Sequence, residues 1–349
     1  MKIGILTYHR SHNYGALLQA IATRVALTNL GHDVFYIDYW PKYHKHKYSF
    51  FSYRKLRIYK LEYLKSRLLL FREIHKRLKV FENEIQVYIE PYCTTQTKFD
   101  AIIYGSDQIW RKQSELHDYN GIYFANGPYE ARYHIAYAAS MGKLSYDDGD
   151  RIKNLLTNFT SIGVREKDLY DFIVSLGYKC NLNLDPTLLL TSNQWDSILR
   201  VKQFLSTPYV LYYSLNEGVF NKKAIEEYAA KKKLSVVEIC GNAKKPTKNV
   251  LPFVTLSEFV SLIKYADTVF STSFHGLVFS LLYHKKVFTS NISNTKRQKL
   301  LLSSLGLQEL FVEPQLNKFP DIQIDFNEVD KKINNMKGFS MTYLTKYVV

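Results

Sequence analysis

The sequence is poor in cysteine and lacks the motifs that identify common cofactor and metal sites. Three cysteines occur among 349 residues, at the distant positions Cys93, Cys180 and Cys240. Without a Cys-x-x-Cys pair, neither a zinc site nor a disulfide framework is indicated. The chain also lacks Gly-x-Gly-x-x-Gly, Walker-type and His-Glu-x-x-His motifs, so nicotinamide, P-loop and zinc-protease functions lose their usual support. We therefore expect a protein of a reducing compartment that needs no metal.

Long apolar runs are lacking as well. No run reaches the 18 or more residues typical of a membrane span. The apolar run at the N-terminus is too short for a secretory signal. The sequence predicts a cytoplasmic protein that can still sit on a membrane surface.

Positive charge is abundant and unevenly distributed. The formal net charge is +15. Residues 42–79 contain thirteen lysine or arginine residues and two glutamates, so this stretch carries eleven of the fifteen excess charges. Such a block is typical of a protein with an anionic partner, which can be nucleic acid, a membrane surface or a phosphorylated substrate. A solvated helical hairpin explains it equally well.

The first part of the chain alternates between short apolar runs and amphipathic segments. Strands are predicted at residues 3–7, 34–39, 101–104, 135–138 and 162–164, and a helix at residues 16–29. This alternation indicates an α/β fold with a parallel sheet. Within the basic stretch, apolar residues recur every three or four positions from Leu61 to Phe81, which predicts one long amphipathic helix.

The α/β pattern restarts after residue 204. Strands are predicted at residues 208–215, 235–239, 268–270 and 287–289, and helices at 222–233, 256–265 and 276–283. We predict an N-terminal domain of residues 1–204 with a basic helical insertion at about 42–90. A second domain covers residues 205–327, and residues 328–349 pack back on the first domain.

Polar clusters follow the predicted strands, at the edge where parallel sheets bind ligands. The segment "STSFHG" places three hydroxyls before His275, at the start of a helix whose free N–H groups attract anions. A helix cap beside a buried histidine is the alternative. In "YGSDQIW", Ser106 and Asp107 can cap a helix or bind a ligand. In "VREKD", Arg165 can bind a carboxylate or phosphate or form an ordinary ion pair.

The chain resembles the polysaccharide pyruvyltransferase family in six segments that occur in the family's order and spacing. They lie between about residues 2 and 307 and read "NYGALLQAIATRVALTNLGHDVFYIDY", "YGSDQIW", "YAASMG", "VREKD", "DPTLLL" and "TSFHGLVFSLLYHKKVF". The sequence departs from many members at Ser273, where they have arginine. A "DSFHG"-type branch also has serine there, but Thr272 replaces the acidic residue of that branch.

The resemblance implies two Rossmann-like domains that face a cleft, as in GT-B glycosyltransferases. It implies phosphoenolpyruvate as donor, with no other cofactor, and a saccharide acceptor that we expect to be lipid-diphosphate-linked. His275 is the expected proton shuttle and Arg165 the expected anion clamp, meeting at one small anion. The expected donor-binding residues are Ser271, Thr272, Ser273, Gly276, Ser106 and Asp107. The expected acceptor or cleft residues are Asn13, Tyr14, Gly15, Gln19, Trp110 and Ser140.

Two other functions remain open from the sequence. A nucleotide-sugar glycosyltransferase can be built on the same fold. A basic scaffold that is not an enzyme can bind nucleic acid or membrane through residues 42–79. The polar clusters at the strand ends favour an enzyme, so we expect no nucleic-acid partner and a peripheral contact of the basic segment with anionic membrane.

Overall fold

The computed structural model describes residues 1–49, 60–142, 144, 146–215, 218–241, 244–292 and 296–348. The chain divides into two compact units. The first unit comprises Met1–Tyr43, Ile85–Leu190 and Ile333–Val349, and the second comprises His44–Glu84 and Thr191–Lys332. Each unit contains its own sheet.

All strand pairings between the named strands are parallel across the described residues. The strands of the first unit are β1 (Lys2–Leu6), β2 (Asp33–Ile37), β3 (Cys93–Thr94), β4 (Lys98–Tyr104), β5 (Glu130–Ala139), β6 (Ser161–Val164) and β7 (Asn181–Leu182). Those of the second unit are β8 (Tyr209–Ser214), β9 (Ser235–Cys240), β10 (Val250–Leu251), β11 (Thr268–Ser271) and β12 (Lys286–Thr289).

The order of the strands shows where each sheet changes direction. The first sheet runs β3-β2-β1-β4-β5-β6-β7, and the second runs β10-β9-β8-β11-β12. The order therefore reverses between β1 and β4 in the first sheet and between β8 and β11 in the second. Ligands of open parallel sheets bind at the carboxyl ends of the strands beside such a reversal.

The helices follow the strands as expected for βαβ units. They are α1 (Tyr14–Thr28), α2 (Lys42–Lys47), α3 (Lys60–Leu69), α4 (Phe71–Tyr88), α5 (Gly149–Leu155), α6 (Lys167–Ser175), α7 (Ser192–Leu199), α8 (Lys222–Lys231), α9 (Leu256–Lys264), α10 (Phe274–Leu282), α11 (Lys296–Leu305) and α12 (Phe326–Thr345). None of the described helices is long and apolar enough to cross a membrane.

The centre of each sheet is fully buried. In β1 and β4, the side chains of Ile3, Ile5, Ile102 and Ile103 have no solvent exposure. Parallel sheets are covered by helices on both faces, which explains why their strands read as continuous apolar runs. The predicted α/β class with two Rossmann-like units is confirmed. The arrangement of the two units around a cleft stays a prediction.

The basic segment differs from its prediction in two ways. The apolar stripe continues through Leu70, but the structure has two helices there, α3 and α4, which are separated by a turn at Leu70. Residues 44–84 also group with the second unit, although the sequence analysis placed them in the first. Hydrogen bonds explain this grouping. Glu84 accepts from the backbone N–H of Leu256 at 2.9 Å, and Arg77 donates to the carbonyl of Pro252 at 3.3 Å.

The division between the units after Leu190 lies earlier than the predicted boundary near residue 205. Helix α7 belongs to the second unit because Trp195 packs on Phe279, with ring centroids 5.2 Å apart. In the same helix, Asp196 pairs with Lys264 at 2.8 Å. Two contacts that cannot be read from local sequence therefore set the division.

Helix α12 brings the C-terminal residues to the first sheet. The hydroxyl of Tyr343 donates to the carbonyl of Ala136 in β5 at 2.7 Å. The hydroxyl of Ser340 accepts from the backbone N–H of Leu184 at 2.9 Å. The end of this helix is therefore part of the first unit.

Candidate active site

The loops that follow β1 and β4 are joined by side-chain hydrogen bonds at the reversal point of the first sheet. Gln19 is fully buried in α1. Its amide nitrogen donates to the hydroxyl of Thr7 at 3.1 Å, and its amide oxygen accepts from the N–H of Ser106 at 3.1 Å. The Thr7 hydroxyl donates in turn to the Ser106 carbonyl at 3.1 Å. Gln19 and Ser106 therefore hold the two loops together.

The "NYG" turn begins helix α1. Asn13 is the N-cap, and its side chain accepts from the N–H of Ala16 at 3.1 Å. Asn13 is partly exposed, whereas Tyr14 and Gly15 are buried. Asn13 can therefore reach a ligand without rearrangement, while Tyr14 and Gly15 contribute to packing.

Arg165 lies at the carboxyl end of β6 in a ring of carboxylates. Its side chain is 3% exposed, and its Nη1 lies 2.6 Å from Oδ2 of Asp185. Carboxylate oxygens of Glu166 and Asp107 lie 3.7 Å from its Nε and Nη2. Burial alone lowers the pKa of Arg165, but these three carboxylates more than offset burial and hold the pKa above its usual value. The guanidinium is therefore charged.

The other side of this guanidinium offers unused donors. Within the described residues, Nε and Nη2 of Arg165 are buried and make no hydrogen bond. The side chain of Asp107 beside them is 24% exposed, whereas that of Arg165 is 3% exposed. Asp185 thus fixes one edge of the guanidinium and leaves another for a ligand. Because three carboxylates surround one cation, a bound anion needs further positive charge.

Trp110 and Ser140, two other predicted site residues of this unit, are buried and bonded to neighbouring residues. Trp110 is fully buried, donates from Nε1 to the carbonyl of Tyr123 at 2.8 Å and stacks on Phe124 at 5.1 Å. Ser140 is fully buried and donates to Glu166 at 2.5 Å. The sequence analysis placed Trp110 among the acceptor or cleft residues, whereas in the structure its ring lies in the hydrophobic core of the first unit.

In the second unit, the hydroxyls of the "STSFHG" segment build a turn at the reversal point. The Ser271 hydroxyl accepts from the N–H of Ser273 at 3.0 Å, and the Thr272 hydroxyl accepts from the N–H of Leu215 at 2.8 Å. Ser273 is the N-cap of α10 and accepts from the N–H of Gly276 at 3.4 Å. All three hydroxyls are buried, so their first role is to shape this turn.

Close packing of this turn places His275 in the first turn of α10. A Cβ on Gly276 would lie 2.1 Å from the Ser271 hydroxyl oxygen, so no larger residue fits without movement. His275 is partly exposed, and its ring lies 5.4 Å from that of Phe274. The imidazole therefore lies at the sheet edge where ligands of parallel sheets bind.

A cavity of about 310 Å³, which the sequence analysis missed, lies beside the same turn. Its lining includes Leu215, which Thr272 contacts, and the charged residues Lys222, Glu238 and Lys244. Glu238 pairs with Lys222 at 2.7 Å and with Lys244 at 3.2 Å. Burial alone raises the pKa of Glu238, but the bonds to these lysines and to Cys240 hold it below its usual value. The cavity therefore carries a net positive charge from its lining.

Comparison with known proteins identifies the family. The family model for polysaccharide pyruvyl transferase matches residues 13–294. The chain belongs to this family and is a transferase, as the six sequence segments predicted. No match to the chain was found among the curated proteins.

The chain is also similar, at low sequence identity, to several solved structures. UDP-GlcNAc 2-epimerase from Neisseria meningitidis is 10% identical, with a TM-score of 0.45, and the match covers 99% of this chain and 93% of that one. UDP-GlcNAc 2-epimerase from Methanocaldococcus jannaschii is 11% identical, with a TM-score of 0.44 and coverage of 97% and 100%. The glycosyltransferase SnogD from Streptomyces nogalater is 12% identical, with a TM-score of 0.35 and coverage of 99% and 98%.

Proposed function

We propose that the protein transfers the pyruvyl group of phosphoenolpyruvate to two hydroxyls of one sugar in a polysaccharide precursor. The observation that supports this most is the position of the "TSFHG" segment, which resembles the family's motif, at the reversal point of the second sheet, with His275 partly exposed in the first turn of α10. Membership of the pyruvyl transferase family gives the reaction class. The donor and the acceptor are our inference from the chemistry that these residues can support.

The reaction needs a proton donor, a proton acceptor and a place for negative charge. C3 of phosphoenolpyruvate gains a proton and becomes a methyl group, while C2 takes on oxocarbenium character. The two sugar hydroxyls add to C2 and lose their protons, and the C2–O bond to phosphate breaks. The products are a cyclic ketal and inorganic phosphate. A single histidine can deliver and remove protons in such a sequence because its pKa lies near neutrality.

We assign this proton transfer to His275. The first turn of α10 also supplies backbone N–H groups and the positive end of a helix dipole, both of which favour an anion. The buried hydroxyls before it already hold the turn in shape. They therefore support the site by preorganising the backbone, and Gly276 permits the close packing that this requires.

Arg165 is the proposed clamp for a carboxylate or phosphate of the donor. Its unused Nε and Nη2 are suited to two parallel hydrogen bonds. Its ion pair with Asp185 at 2.6 Å keeps the guanidinium in one orientation. Charge balance at this group requires an added cation or protonation of a carboxylate when the donor binds.

Family membership does not identify the acceptor, so we infer it from the charges around the cavity of the second unit. We place a diphosphate-linked saccharide in the cavity that Lys222 and Lys244 line. Its volume is at the lower end of the range for small-molecule sites, about 300–1,000 Å³. Two lysines against one carboxylate favour an anionic group there.

A lipid-linked acceptor would require the protein to approach a membrane. At the junction of α3 and α4, Leu68, Leu69 and Phe71 are 74%, 72% and 53% exposed. Arg67 and Arg72 flank these apolar residues in the sequence. Exposed apolar side chains beside basic ones favour peripheral binding to anionic lipid. These exposed residues support the proposal of a membrane contact, which rests on the charge distribution of the sequence.

The decisive experiment compares two histidines at the two ends of α10. Purified protein is mixed with phosphoenolpyruvate and a galactose-bearing lipid-diphosphate acceptor, and phosphate release is measured. We expect His275→Asn to lose at least about a hundredfold in turnover, the usual contribution of general acid–base catalysis. His284→Asn is the matched control, because His284 is exposed and bonds to Asp330 at 2.9 Å.

Full turnover in His275→Asn would refute the role of this histidine. Absence of phosphate release from the unaltered protein, together with thermal stabilisation by a nucleoside diphosphate and none by phosphoenolpyruvate, would refute the donor assignment. That second result would favour a nucleotide-sugar glycosyltransferase instead.

A further inference from the structure

Three side chains with metal-binding atoms meet where the carboxyl ends of β1 and β2 lie beside the start of β3. His9 follows β1, Asp38 follows β2, and Cys93 is the first residue of β3. One ligand atom from each lies within 4.8 Å of the other two. The residues are far apart in the sequence, so only the pairing of β1, β2 and β3 brings them together.

The imidazole of His9 is oriented for a ligand. His9 is 1% exposed, and its Nδ1 lies 3.0 Å from the carbonyl oxygen of Thr7. A carbonyl partner requires that Nδ1 carry the proton, so the lone pair of the neutral ring is on Nε2. Nε2 is buried and makes no hydrogen bond among the described residues, and Asp38 Oδ1 lies 3.8 Å from it. This arrangement of backbone carbonyl, imidazole and open Nε2 is typical of metal-binding histidines.

The spacing of the three atoms is close to that of a tetrahedral site. Zinc binds nitrogen and oxygen at about 2.0–2.2 Å and sulfur at about 2.3 Å, which gives ligand–ligand distances of about 3.5 Å. The separations of up to 4.8 Å in this cluster close with side-chain shifts of about 1 Å. A nitrogen, a thiolate and a carboxylate oxygen form a donor set that zinc accepts. The side chain of Asp38 is 33% exposed, so an ion can enter from solvent.

Charge in this cluster also favours a divalent ion. The Arg10 guanidinium pairs with Asp38 and with Glu90, both at 2.9 Å, and its Nη2 lies 3.9 Å from the Cys93 sulfur. With Cys93 as a thiol, the two carboxylates and Arg10 leave one net negative charge. When a divalent ion binds, the thiol proton passes to solvent and the cluster becomes neutral. The bond from Arg10 to Asp38 remains, as outer contacts to metal-bound carboxylates usually do.

We propose that His9, Asp38 and Cys93 bind one zinc ion, with a fourth position open to water. This site lies in the first unit and is separate from the residues assigned to pyruvyl transfer. The pyruvyl transfer proposed above does not require it, and the zinc proposal does not depend on that function. No local motif indicates this site, because the three residues are far apart along the chain.

Cobalt substitution tests the proposal in the full-length protein, purified without a histidine tag and stripped with a chelator. Added Co²⁺ is expected to produce a sulfur-to-cobalt charge-transfer band in the near ultraviolet, intense visible bands of a four-coordinate ion, and saturation at one ion per chain. Zn²⁺ is expected to displace Co²⁺ and bleach both. A wild-type protein that shows no charge-transfer band would overturn the proposal.

Two cysteine variants decide which thiol binds the ion. Cys93→Ser is expected to lose the charge-transfer band and to weaken Co²⁺ binding by about tenfold or more, at least the loss that an outer contact causes. Cys180→Ser is the matched control and is expected to retain the band. Retention of the band in Cys93→Ser, or its loss in Cys180→Ser alone, would overturn the assignment. Circular dichroism checks that each variant folds. If Cys93→Ser does not fold, Asp38→Asn replaces it and is expected to keep the charge-transfer band but to bind Co²⁺ more weakly.

Discussion

The buried ion pair between Arg165 and Asp185 gives a prediction that the structure makes quantitative. The two side chains are 3% and 0% exposed, and Asp185 Oδ2 lies 2.6 Å from Arg165 Nη1. In Asp185→Asn, the amide replaces one of the carboxylate oxygens. Oδ1 keeps its acceptor role because it accepts from the N–H and the hydroxyl of Thr187 at 3.1 and 2.7 Å. The amide NH₂ then faces Arg165, donor against donor.

The expected loss of stability is large for a single amide substitution. Removing one partner of a buried ion pair costs about 3–5 kcal/mol. Because carboxylate oxygens of Glu166 and Asp107 remain 3.7 Å from the guanidinium, we expect the lower end of this range. A loss of about 3 kcal/mol lowers the urea midpoint by about 1 M or more.

Urea unfolding followed by circular dichroism measures this change, and hydrogen exchange of the peptides that contain β6 and β7 assigns it to the first unit. The matched control is Asp171→Asn. Asp171 pairs with Lys167 at 2.5 Å, but both side chains are 56% exposed. An exposed pair of this kind contributes about 0.3–0.5 kcal/mol. If the two variants lose the same stability, the buried pair does not hold the Arg165 group, and the reasoning is refuted.

Two further changes test packing and burial in the second unit. Gly276→Ala is expected to lower the free energy of unfolding by about 1–3 kcal/mol, because its Cβ would lie 2.1 Å from the Ser271 hydroxyl oxygen. Adding Ser271→Ala should recover part of this loss in thermal unfolding. An unchanged melting temperature in Gly276→Ala would contradict this packing. Burial raises the pKa of Glu84, so its charged form weakens the fold as pH rises through that raised pKa. Glu84→Gln keeps an acceptor for the N–H of Leu256 and should therefore be more stable than the parent protein at pH 7. The difference in unfolding free energy between the two should shrink toward pH 4. A difference that does not change with pH would contradict the role of burial.

Local sequence predicted the elements well where local forces decide them. The apolar runs of β1, β4, β8 and β11 were placed to within a few residues, since strands buried on both faces leave a continuous apolar signal. The start of α1 was predicted two residues late because Asn13, which caps it, was considered mainly for its side-chain chemistry. Periodicity failed at Leu70, where the apolar stripe is continuous and only the structure shows that α3 ends and α4 begins.

The sequence did not predict which distant residues pack against each other. Nothing near Glu84 in the chain indicates that it accepts a hydrogen bond from Leu256, so the grouping of residues 44–84 with the second unit was missed. The surroundings of Trp110 were missed for the same reason. A strand end places a residue at the sheet edge, but the turn that follows decides whether its side chain faces solvent or the core.

By itself, the sequence determined the α/β class, the order of strands and helices, the family, and the positions of Arg165 and His275 after strands. These features depend on apolar periodicity and on short motifs, which act over a few residues. Tertiary structure alone decided that three carboxylates surround Arg165, that a charged cavity lies beside the Thr272 turn, and that His9 meets Asp38 and Cys93. These clusters form when parallel strands from distant parts of the chain pair. No single segment of the sequence determines which strands pair.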